Sequence, residues 1–219
     1  MLTPGTGEQT PSATSFVSVH YTGWTADGIV VDSSLDRSIP PLFPLNRSLP
    51  GWQECVQLMT TGESRRCWLP QTLAYNGRDG RPSGTIVFDI ELLDIRRDPK
   101  VPPPDVSAPP ADAEHTASGI AFKILKPGSG TRRPTQADRV TVHYTGWTTN
   151  GRMFDSSVLG GVAQTLTLTD VIPGWTEGLQ LMVQNERRRF WIPEELAYKG
   201  EVGSPLGMLV FDIDLLGIE

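Results

Sequence analysis

Tyr144, Phe154, Trp175 and Phe211 come from four separated stretches, and with Asp155 and Tyr198 they are the side chains here best suited to chemistry. Aromatic faces with a few hydroxyl and carboxylate handles make an apolar pocket that can orient a ligand. A single Phe or Trp is most often core; two tyrosines placed beside Asp155 among apolar groups argue for a site. Val171 and Ile172 precede Trp175 and would line the same rim. No nucleophile or metal set accompanies them. The chain has three histidines, and its two cysteines, Cys55 and Cys67, are too few for a zinc site. The chemistry expected is noncovalent, with no cofactor and no metal.

The elements that position these residues follow from periodicity. Residues 120–125 alternate as a strand, and 139–145 put Val140, Val142 and Tyr144 on one face and Thr141, His143 and Thr145 on the other, so His143 is expected at the surface. Asn150-Gly151 is a hairpin turn, after which 152–156 returns with Phe154 and Asp155. Leu166 and Leu168 mark a short strand. Pro173 suits a helix start, and Trp175, Leu179 and Met182 then recur at helical spacing. Residues 188–192 form another strand, Pro193–Leu196 a helical turn presenting Tyr198, and 208–216 a last strand with Leu209, Phe211, Ile213 and Leu215 on one side. Five or six antiparallel strands and one main helix predict an α+β domain.

The whole pattern occurs twice. Tyr21 matches Tyr144, Trp52 matches Trp175, Tyr75 matches Tyr198 and Phe88 matches Phe211, all at one offset, and 39 of 80 positions between Phe16 and Ile95 are identical to their partners. The 219 residues therefore divide into a domain over 1–97, a Pro-rich segment over 98–117 and a domain over 118–219. So many prolines without apolar periodicity predict an extended, semi-rigid linker. The first copy lacks a counterpart of the 120–125 strand, which predicts an unpaired sheet edge and either a pared-down domain or a native chain beginning upstream of Met1.

Net charge is −6 with interspersed signs, which excludes a basic nucleic-acid surface; Arg187–Arg189 and Arg65–Arg66 are read as a solvated strand face. No apolar run reaches the ~18 residues of a membrane span and no signal opens the chain, so it is expected to be soluble, cytoplasmic or exported. Cys55 and Cys67 face Gly178 and Phe190 in the other copy and are expected as buried thiols rather than a disulfide.

Val-His-Tyr-Thr-Gly (142–146), Gly-Arg-Met-Phe-Asp-Ser-Ser (151–157), Val-Ile-Pro-Gly-Trp (171–175), Leu-Ala-Tyr (196–198) and Leu-Val-Phe-Asp-Ile (209–213), in that order, resemble the FKBP family of peptidyl-prolyl cis/trans isomerases, most closely its bacterial members. The resemblance implies two FKBP-like domains, each a curved antiparallel sheet wrapped around one short α-helix, with a prolyl pocket floored by Trp175. It assigns catalysis to Tyr144, Phe154, Asp155, Trp175, Tyr198 and Phe211, and substrate binding to Val171 and Ile172. In the first copy it assigns Tyr21, Asp32, Leu49, Trp52, Tyr75 and Phe88, but Val31 replaces the Phe154 wall and Ser48 replaces Val171. The loop from 199 to 208 is shorter than in the best-known members and lacks their His and paired isoleucines, with Leu206 as a remaining apolar contact; macrolide affinity is not implied. The partners implied are proline-containing peptides and unfolded or folding proteins. A peptide-binding chaperone with little turnover is the second function class, and a disabled relative kept for protein interaction the third.

Overall fold

Apolar alternation along residues 16–25 gives β1 (Phe16–Thr25), whose hairpin partner is β2 (Val30–Ser33). Next come β3 (Leu42–Pro44), helix α1 (Pro50–Val56), β4 (Ser64–Leu69) and β5 (Ile86–Arg96). All pairings are antiparallel, in the order β2-β1-β5-β4 with β3 also on β1. The computed structural model describes residues 1–219 and divides them into two compact units, Met1–Asp98 and Pro99–Glu219.

The second unit repeats the plan with additions. Its strands are β6 (Glu114–His115), β7 (Ala121–Lys126), β8 (Arg139–Thr148), β9 (Met153–Ser156), β10 (Gln164–Thr167), β11 (Arg187–Ile192) and β12 (Leu209–Ile218). Helices α2 (Ser157–Gly160) and α3 (Pro173–Leu179) complete it, and the sheet order is β10-β8-β12-β11-β7-β6 with β9 on β8. Both units are α+β. In each, the extended residue before proline (Leu49, Ile172) leads into a helix with Pro at its start, where the missing N–H costs nothing. Trp175, Leu179 and Met182 then bury against Val140, Val142, Ile192, Phe211 and Ile213.

In unit 1, residues 65–69 of β4 pair only with β5; Thr3 opposite Ser64 stands where β7 meets β11 in unit 2. Position 3 plus the repeat offset is Lys126, the residue opposite Arg187, so this bridge is one rung of the missing ladder.

Four expectations are corrected. The Pro-rich segment is not a free spacer: Val106 packs with Trp147, Trp191 and Val210 on the outer face of unit 2's sheet. The Trp147 indole donates to the Pro99 carbonyl (2.9 Å), the Trp191 indole to that of Asp105 (3.0 Å), and Arg189 pairs with the Asp105 carboxylate. Tryptophans on a nominally polar face were the missed signal. The equivalent Trp68 of unit 1 is 64% exposed. His143 is buried rather than at the surface, because the chain after β9 folds across that face: its Nδ1 lies 3.2 Å from Ser157 Oγ, and Thr141 meets Thr165 at 2.9 Å.

The arginine run is not solvated either. Arg188 and Arg189 are buried, each held by a carboxylate at 2.6 Å (Glu186 and Asp212), while Arg187 reaches Asp214 at 2.7 Å. A buried guanidinium without such a partner would be strongly destabilising. Finally, Cys55 and Cys67 form a disulfide between α1 and β4. The same helix-to-strand contact in unit 2 is made by the Phe190 ring over Gly178, where an added Cβ would sit 2.9 Å from the ring.

Candidate functional site

Four rings in unit 2 stand edge to face in a chain of three pairs along the mouth of the sheet. Tyr144 and Trp175 lie 5.0 Å apart at 82°, Trp175 and Phe211 5.3 Å at 85°, and Phe211 and Phe154 5.5 Å at 89°. This is the geometry that ring quadrupoles favour. It is possible because residue 146 is glycine: a Cβ there would come within 2.6 Å of Phe154 and 2.7 Å of Phe211. Tyr144 reaches the mouth from β8, Phe154 and Asp155 from β9, Trp175 from the first turn of α3, Tyr198 from the turn after β11 and Phe211 from β12.

These side chains, with Val171 and Ile172, line one cleft of about 240 Å³. Trp175 is buried at 5% exposure and is one of the residues that line the cleft. Its Nε1 has no hydrogen-bond partner, and the same holds for Trp52 in unit 1. The Tyr144 hydroxyl donates to Asp155 Oδ2 at 2.5 Å. Burial first, and then the adjacent Asp155 carboxylate, push the Tyr144 phenol far above its usual value, so it remains a donor. Tyr198 is raised by burial and, more weakly, by Asp155 and Glu201.

Leu206 does not join the cleft; it is 64% exposed on its loop. Leu166 of β10 and Asp170 do line it, and sequence reasoning missed both as site residues. Alternation of Leu166 with the buried Leu168 offered a signal for the first, but nothing in the sequence pointed to Asp170.

In unit 1, Tyr21, Asp32, Leu49, Trp52, Tyr75 and Phe88 line a larger cleft of about 360 Å³, with Ser48 beside them. Tyr21 and Trp52 stand 5.1 Å apart, Trp52 and Phe88 5.2 Å, and Tyr21 donates to Asp32 at 2.5 Å. The Tyr21 phenol is pushed up to about 12 by burial and by Asp32, against a lowering from Arg37. Val31 packs toward the core and does not line the cleft. Phe43 does, 5.8 Å from Trp52, where unit 2 has Leu166. An aromatic wall is thus lost on one side and gained on another, a compensation that reading Val31 alone could not reveal.

The family model for FKBP-type peptidyl-prolyl cis-trans isomerase matches residues 7–93 and again 130–216. The chain belongs to this family. FKBP-type relatives include FkpA of Aeromonas hydrophila, 47% identical over 108 residues, which are 48% of this chain and 40% of that protein. Peptidyl-prolyl cis-trans isomerase FKBP9 of Rattus norvegicus is 31% identical over 97% of this chain and 36% of its own length. The crystal structure of FkpA from Escherichia coli overlays on 50% of this chain and 53% of its own, with a TM-score of 0.47 and 34% identity. The chain therefore spans about two fifths of the length of each of these two curated relatives. No helix is long and apolar enough to cross a membrane.

Proposed function

We propose that this chain accelerates cis/trans isomerisation of X–Pro bonds in folding polypeptides, mainly through the cleft of unit 2. Rotation about X–Pro crosses a barrier of ~18–20 kcal/mol because the planar amide is resonance-stabilised, and it takes tens to hundreds of seconds unaided. No bond has to break. The twisted amide has lost conjugation, so its carbonyl carries less charge and depends less on water. A cleft that strips water from the planar form and accommodates the twisted one lowers the barrier by differential binding.

The observation that carries this reading is the ring set of Tyr144, Phe154, Trp175 and Phe211 around an open cleft with Asp155 held at its edge. On it, Trp175 and Phe211 seat the proline ring while Val171 and Ile172 hold the chain beside it. The Tyr198 hydroxyl donates to a substrate carbonyl. Asp155, receiving the Tyr144 proton donor, keeps the polarity near the turning amide fixed. The functional domains proposed are 1–97 and 118–219, and no metal or nucleophile enters the scheme.

The experiment is proline-limited refolding of a model protein with catalytic amounts of the intact chain. Disabling unit 2 by Asp155→Leu should remove most of the acceleration, whereas Asp32→Leu should remove little; equal losses would end the asymmetry. A second reading, in which unit 1 mainly holds peptides as a chaperone does, is favoured by its wider cleft, which keeps Trp52 and Phe88 without the Phe154 wall. Aggregation suppression that survives Asp155→Leu and falls with Asp32→Leu supports that division.

A further inference from the structure

The mouths of the two clefts carry opposite charge. Arg47 stands where unit 2 has Asp170, and Arg78 where it has Glu201. Both arginines line the first cleft, and Asp170 lines the second, with Glu201 acting on the Tyr198 phenol. Two more arginines stand over the first cleft's tyrosines. The Arg37 guanidinium is 5.9 Å from the Tyr21 ring centre and 3.4 Å from its hydroxyl, and that of Arg81 is 5.6 Å from the Tyr75 ring. Their counterparts in unit 2 are Gly160 and Ser204, which carry no charge.

No lysine or arginine lines the second cleft; Lys199, next to Tyr198, is exposed and outside it. The carboxylate lining the first cleft, Asp32, is already engaged by Tyr21 and Arg37. The floors are alike, Trp52 with Phe88 and Trp175 with Phe211, so the apolar seat for a proline ring is shared and the field at the entrance differs. A peptide seated on that floor carries its flanking side chains past this rim, within the ~8–10 Å over which charges act at ordinary salt.

Building on the isomerase reading, we propose that the two units divide substrates by charge: unit 1 takes X–Pro segments with an acidic side chain within two residues of the proline, and unit 2 takes basic ones. Exposed pairs are individually weak, but several arginines of one sign act together, and a preference of about ten-fold is expected at low salt.

The test is a titration of the intact, isotope-labelled chain with two peptides identical except for Glu or Lys two residues before the proline. Binding at each unit is followed at its own indole N–H, Trp52 or Trp175. The Glu peptide should bind about ten-fold more tightly than the Lys peptide at Trp52, the order should reverse at Trp175, and both ratios should shrink in 0.5 M salt. Arg47→Asp with Arg78→Glu, the side-chain types carrying charge at the matching positions of unit 2, should reverse the order at Trp52 and leave Trp175 unchanged. The same order at both indoles, or an order indifferent to the paired substitution, overturns the proposal. If neither peptide perturbs either indole, the isomerase reading itself is overturned, and this one with it.

Discussion

Replacing Phe154 with Val gives unit 2 the side chain that unit 1 has at the matching position, and so asks directly whether that wall matters. The ring stands 5.5 Å from Phe211 at right angles, is half-buried, and offers one face to the cleft. Phe exceeds Val by four carbons; at about 0.8 kcal/mol for each fully buried methylene-sized group, the full loss would be about 3 kcal/mol. With only one face covered by substrate, about 1–1.5 kcal/mol of transition-state binding should disappear, which is roughly a five- to thirteen-fold fall in kcat/KM. The assay is proline-limited refolding with the intact chain, with a thermal melt of each variant as control. Since Val occupies this position beside the glycine of unit 1, the backbone should tolerate it and the melt should shift by only a few degrees. The reverse change, Val31→Phe, should raise the contribution of unit 1. A fall of less than two-fold for Phe154→Val, with no gain from Val31→Phe, would refute the idea that the wall separates the two units.

Deleting residues 99–113 should lower the melting temperature of unit 2 by about 10 °C, because Trp147 and Trp191 lose their cover and Arg189 loses Asp105; an unchanged melt would show the segment to be passive. Reducing the Cys55–Cys67 bond, which closes a loop with a separation of 12, should cost unit 1 about 3 kcal/mol and leave unit 2 unaffected, as two resolved melting transitions would show. Because the phenols of Tyr21 and Tyr144 are raised above the ordinary value of about 10, each adds stability that is fully present below that pH and is lost as pH climbs through its folded value. Phenolate absorbance should therefore show Tyr21 titrating near 12 and Tyr144 later, and denaturant midpoints should hold to pH 10 and fall above it; titration of either at 10 would contradict the burial of that phenol together with its hydrogen bond to Asp32 or Asp155.

Much of the fold was legible because its signals are local. Alternation at Val140, Val142 and Tyr144, the Asn150-Gly151 turn and the Pro173 helix start each need only a few neighbours to take effect. The cleft was legible because the repeat displays the same aromatic positions twice. What escaped depends on contacts distant in sequence. Whether Arg188 and Arg189 are solvated depends on Glu186, Asp212 and Asp105; whether a Pro-rich stretch docks depends on Trp147 and Trp191 presenting a face to it. Leu206 and Leu166 show the same limit at the site. Both are apolar and near the mouth in the chain, yet pairing of β10 with β8 turns Leu166 in while Leu206 stays exposed on its loop.

Whether the Trp175 cleft turns an X–Pro bond is decided most directly by exchange NMR on a short proline peptide with substoichiometric intact chain, read together with the Trp175 indole resonance. The account predicts cis/trans exchange brought within about a second, against tens of seconds or more unaided, with the Trp175 indole shifting as peptide is added. Exchange left at the unaided rate, or accelerated while that resonance stays fixed, would contradict it.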